Sequence, residues 1–468
     1  MVKNHDIVIV GCGAGGATAA QFAKKADRKA KVTIFESSPF PQYSKCGIPY
    51  AISGEIPKIM DLIEFSEEWF QKARIDLHLN TRVTNIDSEK KIVTAEKKDG
   101  KIIKKHYTSL IIATGAKPTI PPIKNIYSNN SKQLKKNIFT VRTIPDAKKI
   151  ASAAQPKLNA TIIGAGLIGL EMAESLYKKE LNVTVVEALP TILANIIDED
   201  LSKSILKTIE ESTTLYLNSI ATTIKTKNND NLESIIIKNK KENTQKEIQT
   251  DLLIIATGIK PETELAKQAG CKIGSTNAIQ VDNQSQTTKE DIYAVGDCTE
   301  YREFITKNPI SIGLGSIAVR QGIAAGTNAA GGAYHLPKGV LQTGTSTFFG
   351  KEIGFVGPSQ QTRKQLDTIS AKYHGESKPD YFPGGKPITM KTFVELDTGK
   401  IIGAQAVGEN AAQRVNTYAA AILSELSIDT FKKLETAYAP PVAPTLDVIT
   451  LVADVASAKW NRKKQRKK

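Results

Sequence analysis

Among the four cysteines of this 468-residue chain, Cys46 stands in the segment best suited to sulfur chemistry, Gln42-Tyr43-Ser44-Lys45-Cys46-Gly47-Ile48-Pro49-Tyr50. The thiolate, not the thiol, is the nucleophile. Gly47-Ile48-Pro49 predicts a helix beginning just after Cys46. That helix N-terminus and the adjacent Lys45 would both favour the thiolate. Cys12, Cys46, Cys271 and Cys298 are scattered, with no CxxC pair and no metal-like spacing. This argues against a disulfide scaffold and against structural zinc; no metal site is expected. A buried cysteine is ordinarily a small core residue. Cys46 therefore needs neighbours that move electrons.

Two glycine loops supply them. The strand Ile7–Val10 meets Gly11, Gly13 and Gly16 in a GxGxxG loop, a helix follows, and the strand Val32–Phe35 ends at Glu36. The first glycine permits the tight turn, the second lets a pyrophosphate approach, and the third lets helix and strand pack. Phosphates would sit on the helix N-terminus, and Glu36 is placed to bind a ribose. The unit recurs with the strand Ala160–Ile163, the loop Gly164, Gly166, Gly169, and a strand ending at Glu187. Leu110-Ile111-Ile112-Ala113-Thr114-Gly115 is echoed by Leu253-Ile254-Ile255-Ala256-Thr257-Gly258, each a strand entering a small-residue turn beside its own nucleotide site. Two dinucleotide sites imply two cofactors. Glu187 should bind ribose hydroxyls and repel a 2′-phosphate, which favours NADH over NADPH.

The elements around these loops follow. Residues 80–108 and 223–250 read as small antiparallel meanders. Residues 291–297 form a strand ending at Asp297, and 313–330 a helix rich in Ala and Gly that allows close approach to a planar ligand. From about 333, strands precede helices at 410–424 and 428–435. Hydrophobic content of 40% and charged content of 24% are those of a soluble globular chain. No apolar run is long enough to span a bilayer, and no signal-peptide pattern opens the chain, so a cytoplasmic location is expected. The net charge is +15, and the tail 461–468 carries six of the cations. The tail reads as a frayed, solvated terminus; a flavoprotein interaction module using it on nucleic acid or an anionic surface is the alternative from a different class.

The motif order GxGxxG, single cysteine, Ala-Thr-Gly, GxGxxG, Ala-Thr-Gly, Tyr-Ala-Val-Gly-Asp resembles the two-dinucleotide flavin disulfide reductases, with the fold of glutathione reductase. The resemblance covers essentially the whole chain. It implies an α/β fold of two doubly wound Rossmann-like domains plus a C-terminal α+β dimerisation domain. The expected division is 1–117 with 257–332 for FAD, 118–256 for NAD(P)H, and 333–468 for dimerisation. A dithiol member would carry a second cysteine at Pro41 or Ala51, so the match is to the single-cysteine branch of coenzyme A-disulfide reductase, persulfide reductase, NADH oxidase and NADH peroxidase. Tyr43, Cys46, Pro49 and Tyr50 fit the coenzyme A-disulfide reductase segment, while Gln42 and Lys45 depart from it. Ala14 replaces the histidine that peroxidase and water-forming oxidase carry in the first loop.

By this resemblance FAD lies on Gly11, Gly13, Gly16, Glu36, Ala113, Thr114, Gly115 and Asp297. NADH lies on Gly164, Gly166, Gly169, Glu187 and Gly258, and Glu171 approaches the flavin. Cys46 would exchange with a small disulfide of the coenzyme A type, with Tyr381 and Tyr438 reaching in from the second subunit of a homodimer. Coenzyme A in that branch is gripped by basic residues on the first helix; here Gln21 fits, but an arginine position reads Ala23, with Lys24 and Lys25 adjacent. The alternative within the class is an NADH oxidase producing hydrogen peroxide.

Overall fold

A computed structural model describes residues 5–128, 131–227, 230–311 and 313–467. Residues 1–4 of the expected FAD segment and Lys468 of the basic tail lie outside them. The chain forms two compact units: Met1–Ile120 with Val141–Ala151 and Gly258–Val340, and Pro121–Thr140 with Ser152–Thr257 and Leu341–Lys468.

The first unit is built on a five-stranded parallel sheet. Its order is Ile292–Ala294, Ser109–Ile112, Asp6–Val10, Lys31–Phe35, Ile75–His78. Asp6–Val10 is central, with Ile7 opposite Val32 on one side and Ser109 on the other. Strands covered on both faces read as continuous apolar runs, and Ile7, Val8, Ile9, Leu110, Ile111 and Ile112 are fully buried. One face carries the helix Ala14–Ala26, whose Ala17, Ala19, Ala20 and Ala23 are buried. The helix Gly315–Ala329 packs on it. A Cβ on Gly326 would stand 2.1 Å from the Ala19 carbonyl oxygen. The small residues Gly322 and Gly326 of this second helix thus admit the first helix. The antiparallel meander Thr81–Asp87, Ile92–Lys97, Ile102–His106 matches the sequence reading.

The second unit repeats the parallel sheet in the order Thr214–Tyr216, Asn182–Val186, Asn159–Ile163, Leu252–Ile255, Ile138–Thr140. It adds the meander Ser219–Lys227, Asn231–Asn239, Gln245–Gln249. It also holds a five-stranded antiparallel sheet in the order Gly344–Phe348, Lys351–Val356, Ile401–Gly408, Pro387–Glu395, Thr368–Glu376. The helices Ala411–Leu423 and Val448–Lys467 pack on this sheet. Two expectations change here. The helix at 428 ends at Phe431, because Lys433 and Leu434 donate to carbonyls three residues back and tighten the turn. The basic tail is not frayed: it continues the last helix to Lys467, anchored by Trp460, whose Nε1 donates to the Leu396 carbonyl at 2.8 Å. Cations at a helix C-terminus complement its dipole. Among the described residues no helix is long and apolar enough to cross a membrane.

Candidate active site

The first glycine loop leaves a cradle with no side chain in it. Gly11 has φ +104°, and a Cβ there would stand 2.4 Å from the Ala113 carbonyl oxygen. A Cβ on Gly16 would stand 2.0 Å from the Gly11 carbonyl oxygen. Gly13 caps the helix Ala14–Ala26 without a side-chain hydrogen bond, and nothing lies within 4 Å of where its Cβ would point. The first amides of that helix are therefore open to a phosphate. Glu36 is fixed at the strand end, accepting from the Cys12 amide at 2.7 Å and the Ser38 amide at 2.8 Å. The Ser37 hydroxyl adds a longer bond at 3.5 Å; of the roughly four acceptor sites of a carboxylate, about one stays open for a ribose hydroxyl. Thr114 Oγ1 donates to the Glu262 carbonyl at 2.6 Å, and Gly115 turns at φ +70°.

Asp297 accepts from Arg142 Nη2 at 2.7 Å, both side chains being largely buried. The Arg142 Nε and the Gln42 Oε1 are buried with no hydrogen-bond partner. Leaving such groups unpaired costs about 1–3 kcal/mol each. These orphans, beside a glycine cradle, fit the polar edge of a bound FAD. Arg142 escaped the sequence reading, although a signal was present. Thr143 and Asp146 exchange hydrogen bonds as a capping box, Thr143 N to Asp146 Oδ2 at 2.9 Å and Asp146 N to Thr143 Oγ1 at 3.2 Å. That box fixes the helix start and the arginine just before it.

Cys46 is the exposed cysteine; Cys12, Cys271 and Cys298 are buried, and none of the four is in a disulfide. Burial pushes the Cys12, Cys271 and Cys298 thiols up and keeps them protonated. Gly47 caps the short helix Ile48–Ser53, with Pro49 in its first turn, as expected. Lys45 keeps exposed surface although much protein surrounds its ammonium. Desolvation holds its ammonium below its usual range, with the Arg142 charge adding to this; Asp297, Glu36 and Cys46 pull the other way. Cys46, Lys45, Arg142, Asp297 and Glu36 thus share one electrostatic neighbourhood. Burial, then the Glu36 charge, pushes Tyr43 up to about 12, so it stays a neutral phenol.

The second loop repeats the first. Gly164 has φ +104°, and a Cβ on Gly169 would stand 1.9 Å from the Gly164 carbonyl oxygen. Gly166 caps its helix with no side-chain bond. Glu187 accepts from the Ala165 amide at 2.6 Å and the Leu189 amide at 2.8 Å. Gly258, at φ +101°, groups with the first unit, its carbonyl accepting from the Thr119 amide at 2.9 Å.

On the helix after the second loop, Glu171 accepts from Ser346 Oγ at 2.6 Å. Desolvation raises its pKa above the ordinary 4.5, against the Ser346 bond. A carboxyl with a raised folded-state pKa contributes stability that is full below its ordinary value and lost as pH rises through the raised one. Glu171→Gln cannot ionise and escapes that loss. Its denaturation midpoint, relative to the parent, is expected to rise between pH 4 and pH 7; an identical difference at both pH values would refute the shift.

Tyr381 and Tyr438, 57 residues apart, meet with their hydroxyls at 2.8 Å. Both are exposed, at 71% and 46%. Their mutual hydrogen bond raises Tyr381; the same bond, with a second from Thr445, lowers Tyr438. Tyr438 is therefore the more acidic phenol of the pair.

A family model described as pyridine nucleotide-disulphide oxidoreductase matches residues 5–324, and one for the dimerisation domain of that family matches 343–448. The NADH oxidase of Methanocaldococcus jannaschii is 35% identical over 466 residues, 97% of this chain and 99% of that protein. The NAD(P)H sulfur oxidoreductase (CoA-dependent) of Pyrococcus abyssi is 34% identical, over 96% of this chain and 97% of that protein. The structure of an NAD-dependent persulfide reductase from A. fulgidus matches with a TM-score of 0.91 at 31% identity, over 97% of this chain and 84% of that one. With two glycine cradles, an exposed thiol and these matches, the chain belongs to the pyridine nucleotide-disulphide oxidoreductase family, enzymes that use FAD with NADH or NADPH.

Proposed function

We propose that this enzyme is an NADH-linked reductase of coenzyme A disulfide or a related low-molecular-weight disulfide or persulfide, working through Cys46 alone. The observation that carries this is the contrast among the thiols: Cys46 is exposed, next to the charged Lys45, and the other three are buried. With Pro41 and Ala51 where a second thiol would stand, the disulfide partner of Cys46 comes from the substrate. The names of the relatives, a CoA-dependent sulfur oxidoreductase and a persulfide reductase, support the acceptor class.

Cys46 Sγ attacks one sulfur of the acceptor, forming a mixed disulfide and expelling the other sulfur as a thiolate. Tyr438, the more acidic phenol, protonates that leaving group, and Tyr381 holds Tyr438 in place. FAD, when bound, supplies the electron pair drawn from the nicotinamide. Two-electron reduction of the mixed disulfide would return Cys46 to the thiolate and free the second thiol. In sum, NADH, one proton and one disulfide give NAD⁺ and two thiols. Glu187 selects the 2′-hydroxyl over a 2′-phosphate.

In this reading residues 1–117 with 257–332 hold FAD, 118–256 hold NADH, and 333–468 join two copies. Tyr381 and Tyr438 of one copy stand beside Cys46 of the other. Exposed Val442 and Leu446, near Tyr438 in sequence, are apolar surface suited to such a contact.

A steady-state screen tests the proposal, with coenzyme A disulfide, polysulfide and oxygen as acceptors under NADH and NADPH. A disulfide or persulfide should give the highest kcat/KM, with NADH preferred by roughly tenfold or more, about 1.4 kcal/mol of discrimination. Rapid peroxide formation from oxygen with every sulfur acceptor inert would instead establish the oxidase alternative.

A further inference from the structure

We propose that Asp198 is a positioning residue for the second glycine loop: the C-terminal sheet, acting through the segment 188–198, sets how firmly that loop holds its dinucleotide. The proposal rests on the reading that the second loop takes NADH. Asp198 is the N-cap of the helix Glu199–Glu210, yet its side chain makes no capping hydrogen bond. An aspartate there ordinarily accepts from an amide of the first helical turn. This one turns to the C-terminal part of the same compact unit. Its amide donates to Gln405 Oε1 at 2.8 Å. Its carboxylate accepts from Lys391 Nζ at 2.8 Å, from Gln405 Nε2 at 3.1 Å and from the Arg363 guanidinium. Gln405 stands on the strand Ile401–Gly408, Lys391 on Pro387–Glu395, and Arg363 ends the short helix Gln360–Arg363. Asp198, Arg363 and Gln405 are buried.

From Asp198 a short chain of hydrogen bonds leads back to the glycine loop. The Ile197 and Ile196 amides donate to the Leu193 carbonyl at 3.1 and 2.8 Å. The Leu193 amide donates in turn to the Ala165 carbonyl at 2.9 Å. Ala165 stands between Gly164 and Gly166, and its own amide donates to the Glu187 carboxylate at 2.6 Å. One residue of the loop is therefore held by both of its backbone polar atoms, from Glu187 and from Leu193. Leu193 is buried and sits at φ +53°. A bulky residue in the left-handed region is strained and persists where its surroundings over-determine it; such residues collect at ligand clamps and switch segments. The anchored Asp198 supplies that restraint at one end of the segment, and Glu187 supplies it at the other. Release of Asp198 lets Leu193 relax. The Ala165 carbonyl then loses its partner, and the loop amides lose their fixed direction toward a pyrophosphate. The chain uses the same place twice: the segment after Glu36 carries Cys46, and the segment after Glu187 carries Asp198.

The test uses the full-length enzyme loaded with FAD, at a temperature where each variant keeps the far-UV circular dichroism of the parent. Asp198→Asn keeps the volume and removes the charge; Gln405→Met removes both bonds between Gln405 and Asp198. Calorimetry gives the affinity for NAD⁺, and steady-state assay gives KM for NADH and kcat. Both variants should weaken NAD⁺ binding and raise KM by about fivefold or more, the lower end of coupling between linked sites. FAD content and kcat at saturating NADH should match the parent. Lys203→Met, which breaks an exposed pair on the helix that Asp198 caps, should leave the affinity as it is. Glu187→Ala reports on the loop itself and should also weaken binding. Parent-like affinity in Asp198→Asn and Gln405→Met, beside a weakened Glu187→Ala, overturns the proposal and leaves the NADH site standing. Parent-like affinity in all three removes NADH from the second loop, and the proposal falls with that reading. A lower kcat at unchanged affinity makes Asp198 a stabilising residue only and overturns the positioning role as well.

Discussion

Cys46→Ser is expected to lower kcat for every disulfide or persulfide acceptor by ~1,000-fold or more, the scale on which loss of a covalent nucleophile is felt. A serine hydroxyl neither ionises near neutral pH nor forms a mixed disulfide. FAD content should stay at the parent level, because the groups that fit the cofactor are elsewhere: the Gly11–Gly16 cradle, Glu36, and the Arg142–Asp297 pair. Anaerobic NADH should still bleach the flavin absorbance in one two-electron step. The parent should consume further reducing equivalents when Cys46 begins oxidised as a mixed disulfide. Cys12→Ser is the matched control, a buried thiol beside the same cofactor site, and should keep its turnover. Steady-state assay with an anaerobic titration checks all of this. Unchanged disulfide turnover in Cys46→Ser would remove the nucleophile from the mechanism.

The parts of the site legible in the sequence are those that depend on nearby residues. A glycine loop is a local device: Gly11 crowds Ala113, Gly16 crowds Gly11, and the strand–turn–helix setting can be read from apolar runs. The solitary cysteine is legible because a missing partner at Pro41 or Ala51 is also local. Arg142 is different. It meets Asp297 across 155 positions, and no periodicity announces such a pair. The same holds for Ser346, which reaches Glu171 from another sheet. In the C-terminal region the strand Thr368–Glu376 carries its own signal: Ile369, Ala371 and Tyr373 alternate with Ser370, Lys372 and His374, and only its partner, Pro387–Glu395, is not legible locally. The last helix outran expectation because composition signals solvation, while Trp460 and the helix dipole favour order.

That C-terminal region also holds the largest expected stability effect. Asp198 is a buried carboxylate with three partners in the same unit: the Arg363 guanidinium, Lys391 Nζ at 2.8 Å, and Gln405 Nε2 at 3.1 Å. The Asp198 amide closes the ring by donating to Gln405 Oε1 at 2.8 Å. Arg363 also lies over the Phe393 ring, 3.5 Å from its centroid, and donates to the Pro358 carbonyl at 2.6 Å. Burial alone pulls the guanidinium pKa down, and Asp198 opposes this, so the arginine depends on its carboxylate. Removing one member strands the charge of the others in a poorly solvated place. Arg363→Met fills similar volume and is expected to destabilise the unit by about 3–5 kcal/mol. Lys203→Met breaks an exposed pair with Glu199, at 2.8 Å on one helix face, and should cost under about 0.5 kcal/mol. Chemical denaturation of both variants, followed by far-UV circular dichroism, measures the contrast. The cost arises from the charge left behind, so pairing Arg363→Met with Asp198→Asn should recover part of the loss. If the double variant is as unstable as the sum of the singles, the network is not coupled, and Arg363 acts through its packing on Phe393 instead.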